Sequence, residues 1–274
     1  MSGNRSFINY ITDRFYNEFY SRLKDHIEEN QDSLDLNIQN VHDVAGVSLI
    51  DMEVKFASIN DLPGMDIEFD VVLDAEIEIS EGDYHYDDYD LCNQWFLLSC
   101  SGNLEYGLND FKINGIEVYT QRNKIDKPLS DALVPYIRKD ELDSVATDFL
   151  YRYYPEALKG PKAIEPTELA LKMGLTVEVR NITKDMSIFG QIYFHDAEAE
   201  LYDSEIDEMV IIDVKEGTIF VDPKAYFLRN LGAVNNTIVH ECVHWDKHRK
   251  AFALERLYNS SADGTWGQVP CPTI

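Results

Sequence analysis

His240, Glu241 and His244 have the residue types and spacing of a metal-dependent hydrolase. They form the pattern H-E-x-x-H within Asn236 to Tyr258, a run with no Gly or Pro. Four residues make slightly more than one helical turn, so the two imidazoles project from one face and can hold a single ion. Glu241 lies at the edge of that face, where a carboxylate reaches a water activated by the ion without ligating the ion itself. Two nitrogen ligands and a base form the core of a zinc peptidase. The competing reading is a solvated charged helix. Thr237, Ile238, Val239, Cys242 and Val243 make the first turns largely apolar, however, and buried imidazoles need partners.

The chain that must position these groups has 274 residues, enough for two modest domains. Its hydrophobic share of 45% is that of a folded protein. Its net charge of -26 opposes direct contact with nucleic acid or anionic membranes. The charge is unevenly placed. Between Lys55 and Lys112 there is no Lys or Arg, while acids from Asp61 to Asp110 accumulate. No signal peptide or bilayer-spanning stretch is visible. The cysteines, Cys92, Cys100, Cys242 and Cys271, form no C-x-x-C pair. These features predict a reduced, cytoplasmic chain.

Periodicity predicts an α+β fold: an acidic antiparallel-sheet domain (1–123), a linker (124–139) and a second α+β domain (140–274). Phe7, Ile11, Phe15, Phe19, Leu23 and Ile27 recur at helical spacing. Val47 to Phe56 reads as a strand. Met65 to Ser80 alternates, with apolar odd-numbered residues and mostly acids between them, as in a half-buried strand. Further strands are predicted at Trp95 to Ser101 and Phe111 to Thr120. Asp83 to Asp90 suggests a calcium loop, but it lacks the Gly and the bidentate Glu such a loop requires, so a solvated loop is the better reading. Gln121 to Pro135 reads as linker. Asp140 is predicted to cap a helix that stops before Pro155, and Pro166 to open one closed by Gly174. Leu175 to Val179, Ser187 to His195, Met209 to Val214 and Thr218 to Val221 read as strands, the last two as a hairpin through Lys215-Glu216-Gly217. Strands leading into an H-E-x-x-H helix suit a zincin-type domain, in which an edge strand pairs with an extended peptide.

Several segments together resemble one family. They are Asp148-Phe149-Leu150, Tyr153-Tyr154-Pro155, Ile188 to Ile192, Gly217 to Asp222, and Asn236 to Trp245. With these, about the last half of the chain resembles the ImmA/IrrE-type metallo-endopeptidases, and the motif helix carries most of the likeness. The resemblance implies a minimal zincin fold, zinc held by His240 and His244, and Glu241 as general base. It also implies a protein substrate, a helix-turn-helix transcriptional repressor. That pattern takes its third ligand from a downstream Glu-x-x-Ala-Asn segment, which this chain does not contain.

Nearer residues offer few substitutes. Glu255 lies ~16 Å beyond His244 along a continuous helix, and His248 ~6 Å beyond it. Asp263 follows the helix and is the acid best placed to fold back. Two protein ligands alone hold zinc weakly, so weak metal binding and slow turnover are expected unless another acid completes the shell. Asp222 is either a carboxylate orienting a ligating His or a plain turn residue. Tyr193, His195, Tyr202 and Tyr226 are oxyanion-donor candidates that no spacing separates. Two other classes remain open: a non-catalytic regulator with an incomplete zinc site, and an acidic sheet that occupies a basic DNA-binding surface.

Overall fold

The structure, a computed structural model, describes residues 6–31, 34, 36, 44–81, 89–120, 129–224 and 231–262, without the side chains of 260–262. The fold is α+β, with an antiparallel sheet in the N-terminal half. Its described residues fall into two units, 6–136 with Ala253–Ala262, and Ile137–Phe252.

In the first unit, helix α1 (Phe7–Glu29) buries the predicted stripe, from Phe7 to Ile27, at 5% exposure or less. Its first amides are all satisfied. Phe7 and Ile8 N–H donate to the carbonyl and Oδ1 of Asp131, and Asn9 N–H donates to Ser6 Oγ. Strands β1 (Val44–Asp61), β2 (Asp66–Glu81), β3 (Tyr89–Asn103) and β4 (Lys112–Val118) form an antiparallel meander in that order. The alternation of β2 matches the expectation. Ile67, Phe69, Val71, Leu73, Ala75, Ile77 and Ile79 are buried, in one core with the α1 stripe.

β1 and β3 run longer than predicted. Three register shifts interrupt the pairing of β1 with β2 and hide the alternation of β1. Residues 83–88 of the suggested calcium loop, and 121–128 of the stretch read as linker, lie outside the described residues. Of the rest of that stretch, Leu129 and Leu133 are buried in the first unit's core. So are Ala253, Leu254 and Leu257 from the last turns of the motif helix.

In the second unit, helix α2 (Leu142–Tyr153) stops before Pro155 as expected. Asp140 does not cap it. Instead the Glu141 carboxylate accepts from the Arg138 N–H. Helix α3 (Pro166–Lys172) ends at Gly174, whose φ of 78° lies in the left-handed region that Gly enters freely. Strands β5 (Thr176–Val179), β6 (Gly190–Ile192), β7 (Ala197–Asp203), β8 (Glu208–Val214) and β9 (Thr218–Val221) follow.

The predicted β8–β9 hairpin is not formed. β8 pairs with β7, and β9 lies between β5, parallel, and β6, antiparallel. All four β9 residues are buried, as suits a central strand, whereas β8 exposes most of one face. The strand predicted over Ser187 to His195 shortens to three residues. The motif helix α4 (Leu231–Ala262) extends beyond the expected run at both ends. Among the described residues, no helix is long and apolar enough to cross a membrane.

Candidate metal centre

Helix α4 is anchored by the residues that face away from the motif. Ile238, Cys242 and Trp245 lie in the second unit's core with Phe149, Tyr154, Leu169 and Ile219. The Cys242 thiol is fully buried, and that burial pushes its pKa up to about 12, so it is a core residue and not a ligand. Two residues beyond His244, Asp246 fixes the helix to α2. Its carboxylate accepts two bonds from Arg152, Nη1 at 3.0 Å and Nη2 at 3.2 Å, and one from Tyr153 Oη at 2.9 Å. Lys247 Nζ lies 3.0 Å from the same group. Tyr154, also fully buried, donates its hydroxyl to Glu168 at 2.8 Å. Tyr153 thus helps tie α2 to the helix that carries the site, while Tyr154 bonds to α3.

With the helix so held, His240 and His244 point to one place. Their Nε2 atoms are 2.8 Å apart, within hydrogen-bond reach of each other, and a tetrahedral ion with bonds of about 2.0–2.1 Å would hold them about 0.5 Å wider. The other ring nitrogen of His244, Nδ1, lies 3.2 Å from Nδ1 of His248. His248 thus stands behind His244 and can fix its tautomer, as the outer partner of a ligating His does. Burial, followed by the neighbouring His240 and His248, lowers the His244 pKa to about 4. Its ring is therefore neutral near pH 7, the form that binds a metal.

Glu241 is buried, and desolvation raises its carboxyl to about 7. Both imidazoles and this carboxyl line one cavity of about 360 Å³, which Phe194 and Gln191 also border. Among the described residues, no group of three His, Cys, Asp or Glu side chains is arranged to hold an ion. The described residues fit two positions of a zinc shell. Glu255 belongs to the first unit's segment of α4, and Asp263 lies outside the described residues.

Strand β6 forms another wall of the cavity through Gly190 and Gln191. A methyl group at Gly190 would collide with the Thr237 methyl and stand 3.1 Å from Glu241 Oε1. Only Gly allows the strand this close to the helix. Gly190→Ala is therefore expected to cost about 1–3 kcal/mol through overpacking. Urea unfolding should show much of that loss recovered in Gly190→Ala/Thr237→Ser. The Ser retains the hydroxyl bond to the Ala233 carbonyl and removes the colliding methyl.

β6 is also a sheet edge. The Phe189 carbonyl and the Tyr193 N–H pair with the β9 side, so the backbone groups of Gly190 and Ile192 point away from β9.

The other candidates are elsewhere. Asp222 is fully buried, and its two oxygens accept from the backbone N–H groups of Ile182 and Lys224. It braces a turn and orients no His. Tyr193 packs on Phe220, and Tyr202 donates to Asp207. Neither these nor His195 lines the cavity, and Tyr226 lies outside the described residues. Sequence reasoning missed the parts played by Asp246, Arg152 and Gly190. For Gly190 there was a usable signal, since an isolated Gly in an apolar strand marks close backbone approach. Compared with protein-family models, with curated proteins and with solved structures, the chain matches none.

Proposed function

We propose that the chain is a zinc-dependent endopeptidase that acts in the cytoplasm on a regulatory protein such as a helix-turn-helix repressor. The observation that carries this reading is the convergence of His240 Nε2 and His244 Nε2, 2.8 Å apart, in a cavity lined by the Glu241 carboxyl. The likeness to the ImmA/IrrE-type peptidases supports it and supplies the substrate class. His240 and His244 would hold the zinc, and His248 would keep the His244 tautomer that offers Nε2. When bound, zinc supplies Lewis acidity to the scissile carbonyl and to the attacking water.

Glu241 takes a proton from that water as the oxygen–carbon bond forms. It then delivers the proton to the amide nitrogen as the carbon–nitrogen bond breaks. Burial raises this carboxyl in the metal-free chain, and a zinc ion beside it would favour the carboxylate, the form that takes the proton. An extended substrate segment would pair with the outward N–H and C=O groups of Gly190 and Ile192.

A second reading is a regulator that binds its partner without cutting it. It is favoured by the two-ligand set, since no third ligand is present among the described residues. The two separate on incubation of the purified chain with a candidate repressor, first with a chelator and then with zinc restored. Peptidase action gives discrete fragments only with zinc. An intact repressor held in a stable complex under both conditions would favour the regulator.

A further inference from the structure

The solvent face of the first unit's sheet is unlike an ordinary solvated surface. On this face Glu53 stands opposite Asp74, and Glu68, Glu76 and Glu78 lie along the same side of β2. Like charges directly opposite are destabilising, and for this pair Lys55 offsets the repulsion. Lys55 pairs with Glu53 at 2.6 Å and Asp74 at 3.2 Å, and Lys112 stands at the far end of the face, opposite Ser101. Glu68, Glu76 and Glu78 form no ion pair among the described residues.

Among these acids runs an apolar strip. Phe56 and Leu97 flank Val72 on neighbouring strands, and Tyr119 packs against both Phe56 and Trp95. Trp95 is 38% exposed, opposite Asp74; Leu91 is 52% exposed, opposite Glu78; and Tyr89 lies beyond them at 57%. Exposed Trp95, Leu91 and Tyr89 beside Glu76 and Glu78, which form no ion pair among the described residues, are a cost to the isolated chain that a partner recovers.

We infer that this face docks a protein surface rich in arginine. Guanidinium groups satisfy both features, since they pair with carboxylates through two parallel bonds and stack on aromatic rings. Nucleic acid and anionic membrane are repelled by the same charge. A second copy of the face would set acid against acid. The inference does not rest on the peptidase reading, because its residues lie in the other unit.

The test measures binding of the full chain to a short labelled peptide alternating arginine with serine, and to its lysine counterpart. Arginine should bind more tightly. Glu76→Gln/Glu78→Gln should weaken it by about five- to tenfold. Glu198→Gln/Glu200→Gln, which removes the same charge from exposed positions on β7, should change it by less than about twofold. Trp95→Ala should abolish the preference for arginine over lysine. The sheet Gln pair should also raise the thermal midpoint, because it relieves repulsion. These Gln substitutions keep side-chain volume, so their result stands whatever Trp95→Ala does to the fold. Equal weakening by the two Gln pairs would reduce the attraction to diffuse charge and overturn the inference. Indifference of the arginine preference to Trp95→Ala in a folded variant would overturn it too.

Discussion

Glu241→Gln is expected to make the metal-free chain more stable above neutral pH and to lower peptide hydrolysis by about 10²–10⁴. Both effects come from the same buried carboxyl. Burial raises its folded pKa from 4.5 to about 7, so the unfolded chain releases this proton at lower pH than the folded one. The stability linked to the proton is complete below pH 4.5 and is lost as pH climbs through about 7. Gln carries no such titration. Wild type and variant should unfold alike near about pH 4 and differ by up to about 3 kcal/mol near about pH 8. Zinc should shrink the difference, because a cation beside the carboxylate favours its charged form. Urea unfolding at the two pH values, in chelator and then in zinc, measures this. A variant no more stable at high pH would mean that Glu241 is hydrated, and the proposed base would lose its setting.

The second large effect is expected at Asp246. Its side chain is 3% exposed and meets the Arg152 fork, the Tyr153 hydroxyl and the Lys247 ammonium. Asp246→Asn would leave two cations facing a neutral amide that cannot accept all their bonds. Losing the charged acceptor of a pair whose Arg152 side is 28% exposed costs about 1–3 kcal/mol. The loss should appear in the denaturant midpoint. Zinc affinity should fall with it, because the anchor lies two residues from His244 on the helix that presents both imidazoles. A change below about 1 kcal/mol would make the cluster no more than an ordinary surface bridge.

The features that were legible in the sequence are those fixed by local period. The stripe from Phe7 to Ile27, the alternation of Met65 to Ser80 and the uninterrupted motif helix each repeat a pattern that neighbouring residues complete. What escaped depended on residues distant in the chain. Lys215-Glu216-Gly217 has hairpin composition, yet β9 is claimed by β5 and β6, because only a central position buries all four of its side chains. β7 is hard to read locally because its alternation is carried by Ala197 and Ala199, whose apolar signal is weak, between Glu198 and Glu200.

The same division holds at the candidate site. His240, Glu241 and His244 were found because one helical turn brings them together. The roles of Gly190 and Asp246 depend on partners 47 and 94 positions away in sequence, Thr237 and Arg152. No spacing rule reaches that far.

Whether His240 and His244 hold a zinc ion is decided by zinc titration of the chelator-stripped chain against a competing chelator. One zinc per chain is expected, held less tightly than in a centre with three protein ligands, with the competition signal lost in His240→Ala and in His244→Ala. A chain that takes up no zinc, or takes it up equally well without His240, would contradict it.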